Sequence, residues 1–200
     1  GSNMAATRLQ AMPEIINARK SGKKIVLIDV CGEAMSKYCD KTIPIRPGTD
    51  GALALAMMNV LVKEGSADEE FLDNNAEGYS EFKETLSEYT PKWAENITGI
   101  ASETIIELAL EYGKAYAPAI ILGSGNSRYG NGAMTVRLIT ILSLFTGAWK
   151  KKGGGLCGCT PIDTSYINLS LIKRPDFRKE PSKKININQL GTAVNDKNIK

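Results

Sequence analysis

The stretch IPIRPGTDGALALAMMNVLVKEG, residues 43–65, joins two apolar segments through the turn-forming sequence PGTD. The apolar residues before the turn predict a short strand over Thr42–Ile45. Those after it predict an amphipathic helix over Gly51–Lys63. In open parallel sheets, ligands bind beyond the carboxyl ends of the strands, and the PGTD turn lies at such an end.

The PGTD turn has a structural and a functional interpretation. Pro47 and Gly48 permit a tight turn with close backbone approach, and Thr49 or Asp50 is expected to cap the following helix. The functional interpretation adds a ligand. The Asp50 carboxylate can accept two parallel N–H bonds, which is the pattern that guanine presents at N1 and N2. Both interpretations can hold together.

Composition and charge are those of an ordinary globular domain. The 200 residues are 42% hydrophobic and 24% charged, and the net charge of +3 is too small to predict a nucleic-acid partner. The sequence has no uninterrupted run of about 18 apolar residues, so direct membrane insertion is not expected. It shows no signal-peptide pattern, but an export signal could precede residue 1, so the compartment, cytoplasmic or periplasmic, stays open.

Histidine is absent from the chain, and its cysteines match no metal-site pattern. The lack of histidine excludes a Ser-His-Asp triad and the commonest metal ligand. The spacings of Cys31, Cys39, Cys157 and Cys159 match no zinc or iron–sulfur site, so free thiols are expected. We name no catalytic residue and no metal ligand within this chain.

Apolar strands alternate with helices along the chain. Short β-branched runs at 24–29 and 118–122 predict strands buried on both faces of a parallel sheet. We therefore predict an α/β fold over residues 1–150: a Rossmann-like, doubly wound, largely parallel sheet with helices on both faces. The glycine-rich and irregular residues 151–200 are expected to be a linker or tail toward another domain. Helices are predicted at Leu9–Ser21, Gly32–Cys39, Asp68–Asn74, Tyr79–Tyr89, Ser102–Tyr116 and Met134–Trp149.

Two further segments follow predicted strands. Asp29 closes the first strand, where it can accept hydrogen bonds from a ribose or cap the next helix. Gly123, Ser124 and Gly125 follow the third predicted strand and let a phosphate or a ring approach the backbone. Arg128 stands where a third glycine would complete a dinucleotide-binding fingerprint, so this motif alone is weak evidence.

The first residues also have two interpretations. GSN at 1–3 is typical of the remnant of an expression tag. The same residues ahead of a helix form a good phosphate-binding turn. In that case the strand that feeds the turn precedes residue 1.

Three stretches together resemble the molybdopterin oxidoreductase superfamily of the dimethyl-sulfoxide-reductase type. GSNMAAT at 1–7 is similar to the family's G-S-N-[PM]-A-x-[ST] turn, and PIRPGTDGALALAM at 44–57 is similar to its P-I-R-P-G-T-D-G-A-L-A-L-A-[ML] run. The segment from GSGNSRYGNG at 123–132 to GGGL at 153–156 resembles the family's glycine motifs. The chain departs from the family pattern at Val30-Cys31, where Pro-Arg is usual, and at Ala148, where asparagine is usual.

The resemblance implies a function for the full-length protein. It implies the catalytic subunit of a molybdenum or tungsten oxidoreductase, of a kind used in anaerobic respiration, with two molybdopterin guanine dinucleotides. This segment would be the domain that binds the guanosine-diphosphate part of the cofactor, and it would be inactive alone. The implied cofactor-binding residues are Ser2, Asn3, Met4, Asp29, Val30, Cys31, Gly48, Thr49, Asp50, Gly123, Ser124, Gly125 and Arg128.

The resemblance also implies partners. An iron–sulfur cluster is expected only in an N-terminal domain outside this segment. The remaining domains of the same subunit would contact this one, and an iron–sulfur electron-transfer subunit would complete the enzyme.

Two other classes of function stay open on the residues alone. A non-catalytic nucleotide-binding module would need a complete phosphate loop, which the sequence does not contain. A purely structural α/β domain, such as the middle domain of a thiamine-diphosphate enzyme, would give Asp29 and Asp50 no role beyond capping. The motifs at successive strand ends favour the oxidoreductase.

Overall fold

Short parallel strands alternate with helices in the computed structural model, which describes residues 2–158, 165, 167–177, 184–186 and 189–196. The chain divides into two compact units, Gly1–Cys159 and Thr160–Lys200. The strands of the first unit are β1 (Val26–Asp29), β2 (Lys41–Pro44), β3 (Ala119–Ile121) and β4 (Gly155–Cys157). Its α-helices are α1 (Met4–Thr7), α2 (Met12–Lys20), α3 (Glu33–Ser36), α4 (Asp50–Lys63), α5 (Glu69–Asn75), α6 (Tyr79–Thr85), α7 (Pro91–Thr98), α8 (Ser102–Lys114) and α9 (Gly132–Phe145). Short 3₁₀ helices cover Leu9–Ala11, Leu86–Glu88, Ser124–Arg128 and Ala148–Lys150.

The strands form two separate parallel pairs. In the first pair, β1 lies beside β2, with Val26 opposite Lys41. In the second, β3 lies beside β4, with Ala119 opposite Gly155. The predicted α/β class with parallel strands is confirmed. The continuous Rossmann-like sheet is not, because the described strands form two small sheets rather than one.

Strand β4 is absent from the sequence prediction, which treats residues 151–200 as a linker or tail. Glycine has little preference for strands, so the local sequence of β4 gives a weak signal. The strand forms because β3 supplies its partner: the Gly155 N–H donates to the Pro118 carbonyl at 3.0 Å, and the Leu122 N–H donates to the Cys157 carbonyl at 2.8 Å. The first unit therefore extends past residue 150 to include it.

Helix α4 lies inside the first unit. Nine of its fourteen residues are buried, among them Leu53, Met57 and Leu61, so the helix has no wide solvent-facing side. The prediction of an amphipathic helix is therefore wrong, and α4 is a core helix. Helices α7, α8 and α9 pack against it.

Helices cover both faces of β1. Val26 and Ile28 pack against the main core, which contains α4. Ile25 and Leu27 pack against a smaller apolar cluster, formed by Met4, Met12, Met35 and Cys39. Because side chains alternate between the two faces of a strand, α1, α2 and α3 lie on the face opposite α4. The predicted arrangement of helices on both faces is thus present at β1.

The prediction that the first and third strands are buried on both faces is wrong for β3. Ile121 is 42% exposed, Ala119 is also exposed, and the first three residues of β1 are only half-buried. The cause is a groove between the two strand pairs, lined by β1, β3, α4, α8 and α9, with a volume of about 360 Å³. We call it the inter-sheet groove.

The second unit contains two short helices among its described residues, α10 (Leu169–Lys173) and α11 (Leu190–Asn195). The rest of its described chain has little regular structure beyond a single 3₁₀ turn at Pro175–Phe177. No helix in the described parts of the chain has the length and apolar character needed to cross a membrane.

The aromatic cluster at the end of α9 gives the first prediction. Phe145 is fully buried, and its ring meets those of Tyr79 and Phe82 edge-on, with centroids 5.9 and 6.4 Å away. Phe145→Ala leaves a cavity and should lower the free energy of unfolding by about 3–5 kcal/mol in urea titrations. Met134→Ala, on the same helix but 53% exposed, should change it by less than about 0.5 kcal/mol. Equal effects of the two substitutions would contradict this assignment of the core.

Candidate functional site

The carboxyl ends of the strands meet at one edge of the first unit. Asp29, the last residue of β1, lies opposite Pro44, so the PGTD turn follows β2 at the same edge. Ser2, Asp50, Gly123 and Asn126 line the inter-sheet groove. We call this region, from Ser2 through Asp29 and Asp50 to the segment after β3, the carboxyl edge.

The PGTD turn is held against the segment that follows β3. Gly48 has a positive φ of 78°, which L-residues rarely adopt. A β-carbon at this position would lie 3.2 Å from Cγ of Tyr129, so the aromatic ring leaves little room for a side chain. The Asn131 amide donates a hydrogen bond of 3.0 Å to the Gly48 carbonyl. One distant segment of the chain, residues 129–131, therefore holds the turn.

The expected helix cap is not formed. Helix α4 begins at Asp50, and Thr49, which precedes it, makes no side-chain capping bond. The Thr49 hydroxyl instead donates to the Arg46 carbonyl at 2.7 Å and closes the turn on itself. Arg46 in turn donates to the Asn96 carbonyl at 2.8 Å, which ties the turn to the end of α7. The capping prediction is wrong for Thr49, because the turn uses its hydroxyl internally. Asp50 is the first residue of α4, and its carboxylate accepts a hydrogen bond from its own backbone N–H.

Asp50 is a half-buried carboxylate with few hydrogen-bond donors. Asn126, which is 5% exposed, donates a long hydrogen bond of 3.4 Å to Oδ1 of Asp50. Burial raises the pKa of Asp50, and the nearby charge of Asp29 raises it further, while the Asp50 amide and Asn126 oppose the rise. The site therefore stabilises the charged carboxylate incompletely. An additional N–H donor from a ligand would improve its environment.

Asp29 closes the turn after β1. It is 8% exposed, and its Oδ1 accepts a hydrogen bond of 3.0 Å from the Cys31 N–H. Gly32 occupies the cap position of α3. Val30 and Cys31 are exposed at the same edge.

The predicted glycine motif folds into a compact turn after β3. Gly123 is buried, and Ser124–Arg128 forms a 3₁₀ helix. Ser124 and Arg128 are exposed, whereas Gly125 is half-buried. The Ser127 hydroxyl donates to the Ser124 carbonyl at 2.8 Å.

The first residues form a turn that leads into α1. The Met4 N–H donates to the Ser2 carbonyl at 2.8 Å, and the Thr7 hydroxyl donates to the Asn3 carbonyl at 2.8 Å. Asn3 is exposed, and Ser2 is half-buried beside the groove. The Met4 side chain packs in the smaller apolar cluster and also lines the inter-sheet groove.

The structure brings part of the predicted set together. Ser2, Met4, Asp50 and Gly123 line one groove, and Asp29 is close enough to Asp50 to affect its pKa. Thr49, Ser124 and Arg128, together with Val30 and Cys31, surround this centre without entering the groove. Sequence reasoning missed Asn126, Tyr129 and Asn131, although the polar residues between glycines in GSGNSRYGNG were a usable signal.

Residues 1–198 match the sequence model of a protein family that is described as molybdopterin oxidoreductase. The chain belongs to the molybdopterin oxidoreductase family. Its resemblance to that family in the three sequence stretches is thereby confirmed. In the described part of the chain, no cluster of three or more histidine, cysteine, aspartate or glutamate residues could hold a metal ion.

Several curated proteins are similar to the chain. It is 39% identical over 195 residues to the probable oxidoreductase YoaE of Bacillus subtilis, covering 97% of this chain and 28% of that protein. It is 36% identical to F420-dependent formate dehydrogenase 1 subunit alpha of Methanococcus maripaludis, covering 78% of this chain and 23% of that one. It is 34% identical to the dimethyl sulfoxide reductase DmsA of Haemophilus influenzae, and the match covers 89% of this chain and 25% of that protein. The chain thus spans about a quarter of the length of these relatives.

A solved structure has the same fold. Acetylene hydratase from Pelobacter acetylenicus superimposes with a TM-score of 0.68 at 26% identity, over 73% of this chain and 20% of that one. The fold of that protein is therefore shared by about three quarters of this chain.

The raised pKa of Asp50 predicts how the stability of this family member depends on pH. A carboxylate whose folded-state pKa is raised favours folding when protonated, and this contribution is lost as pH rises through that pKa. Asp50→Asn should therefore raise the melting temperature at neutral pH, and the gain should vanish well below about pH 4, where both proteins are uncharged at this position. Thermal unfolding followed by circular dichroism across this range measures the effect.

Asp68 provides the control, because it also lies at the start of a helix. Its pKa is lowered, chiefly by the hydrogen bond from Lys150. Asp68→Asn should lower the melting temperature at neutral pH, which is the opposite sign. A loss of stability for both variants at neutral pH would show that burial does not destabilise the charged form of Asp50.

Proposed function

We propose that the full-length protein is the catalytic subunit of a molybdenum or tungsten oxidoreductase, and that the carboxyl edge binds the guanosine-diphosphate part of a molybdopterin guanine dinucleotide. The observation that carries this proposal is the half-buried Asp50 carboxylate, which lies at the strand ends beside the inter-sheet groove and has a raised pKa. When bound, the metal–pterin group would supply the electron-transfer chemistry. The residues of this chain would bind and orient its nucleotide end.

Guanine fits Asp50 better than adenine does. A carboxylate presents two acceptor oxygens, and guanine offers donors at N1 and at the 2-amino group, so two parallel hydrogen bonds can form. Adenine has an acceptor at N1 and no 2-amino group, so it would leave one oxygen opposed to a lone pair. The Asp50 carboxylate has a hydrogen bond to its own backbone N–H and a long one from Asn126, which leaves it acceptor capacity for a ligand.

The neighbouring groups suit the ribose and the phosphates. The Asp29 carboxylate lies at the end of β1, the position from which an acidic residue contacts ribose in related α/β folds. Gly123 and Gly125 carry no side chain that would hold a diphosphate away from the backbone. The half-buried Ser2 and the exposed Asn3, Ser124 and Arg128 supply polar groups around them.

The remaining parts of the enzyme lie outside this chain in the proposal. The chain spans 28% of the YoaE sequence, which leaves room for an N-terminal domain with an iron–sulfur cluster and for further cofactor-binding domains. The name of the Methanococcus relative identifies it as an alpha subunit, which supports an iron–sulfur electron-transfer subunit as partner. The relatives are named for formate, dimethyl sulfoxide and acetylene, so we place the choice of substrate outside this segment.

Nucleotide preference tests the proposed site. The chain should bind GDP about ten- to a hundred-fold more tightly than ADP, since a pair of charge-assisted hydrogen bonds in a half-buried site contributes roughly 1.5–3 kcal/mol. Asp50→Asn replaces one acceptor by a donor and should remove this preference. Chemical-shift titration of the parent and the variant with both nucleotides measures the four affinities.

Asp73→Asn is the matched control, because it removes the same charge from an exposed position on α5. It should leave the preference for GDP unchanged. Equal affinity of the parent for GDP and ADP would refute the guanine assignment, and so would a preference for GDP that survives in Asp50→Asn.

A further inference from the structure

The asparagine at the start of α9 does not perform the role that its position predicts. Asn131 occupies the N-cap position of α9, where an asparagine side chain normally accepts a backbone N–H from the first turn of the helix. No such bond forms. The Asn131 amide instead donates, at 3.0 Å, to the carbonyl of Gly48, which lies 83 positions earlier in the chain. The side chain therefore serves the PGTD turn and not the helix that follows it.

The start of α9 is held without this cap. The Gly132 N–H donates to the Tyr129 carbonyl at 2.9 Å, and the Thr135 N–H donates to the Asn131 carbonyl at 3.0 Å. Gly132 also lies close to the main chain of Ser127, since a β-carbon on it would be 2.7 Å from the Ser127 carbonyl carbon. These are main-chain contacts. A change of the Asn131 side chain therefore leaves in place the bonds that begin the helix.

The peptide group that Asn131 reaches is bonded at both of its polar atoms. The Gly48 carbonyl accepts from Asn131, and the Thr49 N–H of the same peptide donates to the Arg46 carbonyl at 3.3 Å. Because a peptide group is planar and moves as one unit, these two bonds together fix its orientation. Thr49 directly precedes Asp50, so the orientation of this peptide influences the direction in which the chain enters α4.

The same segment of the chain also contacts Asp50 and its neighbour. Asn126 donates to Oδ1 of Asp50, but at 3.4 Å. Gly51 lies against Thr135 of α9 through close packing. The bond from Asn131 is the shorter of the two side-chain bonds, at 3.0 Å against 3.4 Å. We therefore assign the larger part in orienting the turn to Asn131.

We propose that Asn131 is a positioning residue for base recognition: it holds the Gly48–Thr49 peptide so that Asp50 presents both carboxylate oxygens to the base. This inference rests on the proposed recognition of guanine by Asp50. Asn131 does not contact the base in this proposal, because it acts through the turn. Its loss should therefore change the preference between bases more than it changes the binding of ribose and diphosphate.

Base preference is a sensitive measure of the direction of the carboxylate. A pair of parallel hydrogen bonds requires both oxygens to lie near the plane of the base, and each bond weakens as its angle departs from linear. GDP and ADP have the same ribose and diphosphate. The ratio of their affinities therefore reports the contacts of the base and cancels any change in the rest of the site.

A double-mutant cycle on Asn131 and Asp50 tests the inference. Chemical-shift titrations give the affinities of GDP and ADP for the parent chain, Asn131→Ala, Asp50→Asn and the double variant. Asn131→Ala should lower the ratio of GDP to ADP affinity about three- to ten-fold, as expected for the loss of one hydrogen bond. In the Asp50→Asn background the same substitution should leave the ratio unchanged, because Asn131 acts through Asp50.

Three further variants separate the lost hydrogen bond from a general disturbance of the segment. Asn131→Asp keeps the size and the capping ability of the residue but has no N–H to donate, so it should lower the ratio as Asn131→Ala does. Asn131→Gln keeps the amide donor and should restore part of the ratio. Tyr129→Phe is the matched control, because it keeps the ring beside Gly48, and it should leave the ratio unchanged. Melting temperatures should stay close to that of the parent, since Asn131 is exposed and caps no helix.

The possible outcomes distinguish this inference from the proposed function. Equal affinity of the parent for GDP and ADP would refute the guanine assignment and this inference with it. A parent that prefers GDP, with the same preference in Asn131→Ala and Asn131→Asp, would overturn the inference alone. So would an equal loss of affinity for both nucleotides, which would indicate a general structural role. A change of the ratio by Asn131→Ala in the Asp50→Asn background would show that Asn131 does not act through Asp50.

Discussion

The close contact between the start of α4 and α9 positions the carboxyl edge. A β-carbon at Gly51 would lie 3.2 Å from Cδ1 of Leu138 and 3.3 Å from Oγ1 of Thr135. These distances are shorter than ordinary packing contacts, so a larger residue would require the side chains of Leu138 and Thr135 to shift. Glycine lets α4 begin directly against α9, and this places Asp50 beside Asn126. The position of the carboxylate is therefore a consequence of helix packing.

The PGTD turn divides its groups between folding and binding. Gly48 and Thr49 form hydrogen bonds within the protein: the Gly48 carbonyl accepts from the Asn131 amide, and the Thr49 hydroxyl donates to the Arg46 carbonyl. Asp50 retains acceptor capacity, and burial raises its pKa. Rigid surroundings with one incompletely satisfied group are typical of sites that are organised before a ligand binds. The stiff turn between the strand and the helix thus places a carboxylate with spare acceptor capacity at the strand ends.

Local sequence patterns predict the positions of helices and strands, because these depend mainly on residues that are close in the chain. The helix expected over Gly51–Lys63 begins one residue earlier, at Asp50, and the strands expected at 24–29 and 118–122 are present but shorter. Features that depend on distant residues were not predicted. Asn126 reaches Asp50 across 76 positions of the chain, and β4 forms only because β3 supplies its hydrogen-bonding partner. The inter-sheet groove, too, follows from how the two strand pairs are placed, which no periodicity in the sequence encodes.

The central claim is that Asp50 recognises guanine at the carboxyl edge. A crystal structure of the full-length protein with its bound nucleotide cofactor measures this directly, through the distances from guanine N1 and N2 to the two oxygens of Asp50. The account predicts both distances near 3 Å, as for charge-assisted hydrogen bonds, with the ribose beside the end of β1. A guanine whose N1 and N2 edge meets a different side chain, with Asp50 outside hydrogen-bonding distance, would contradict it.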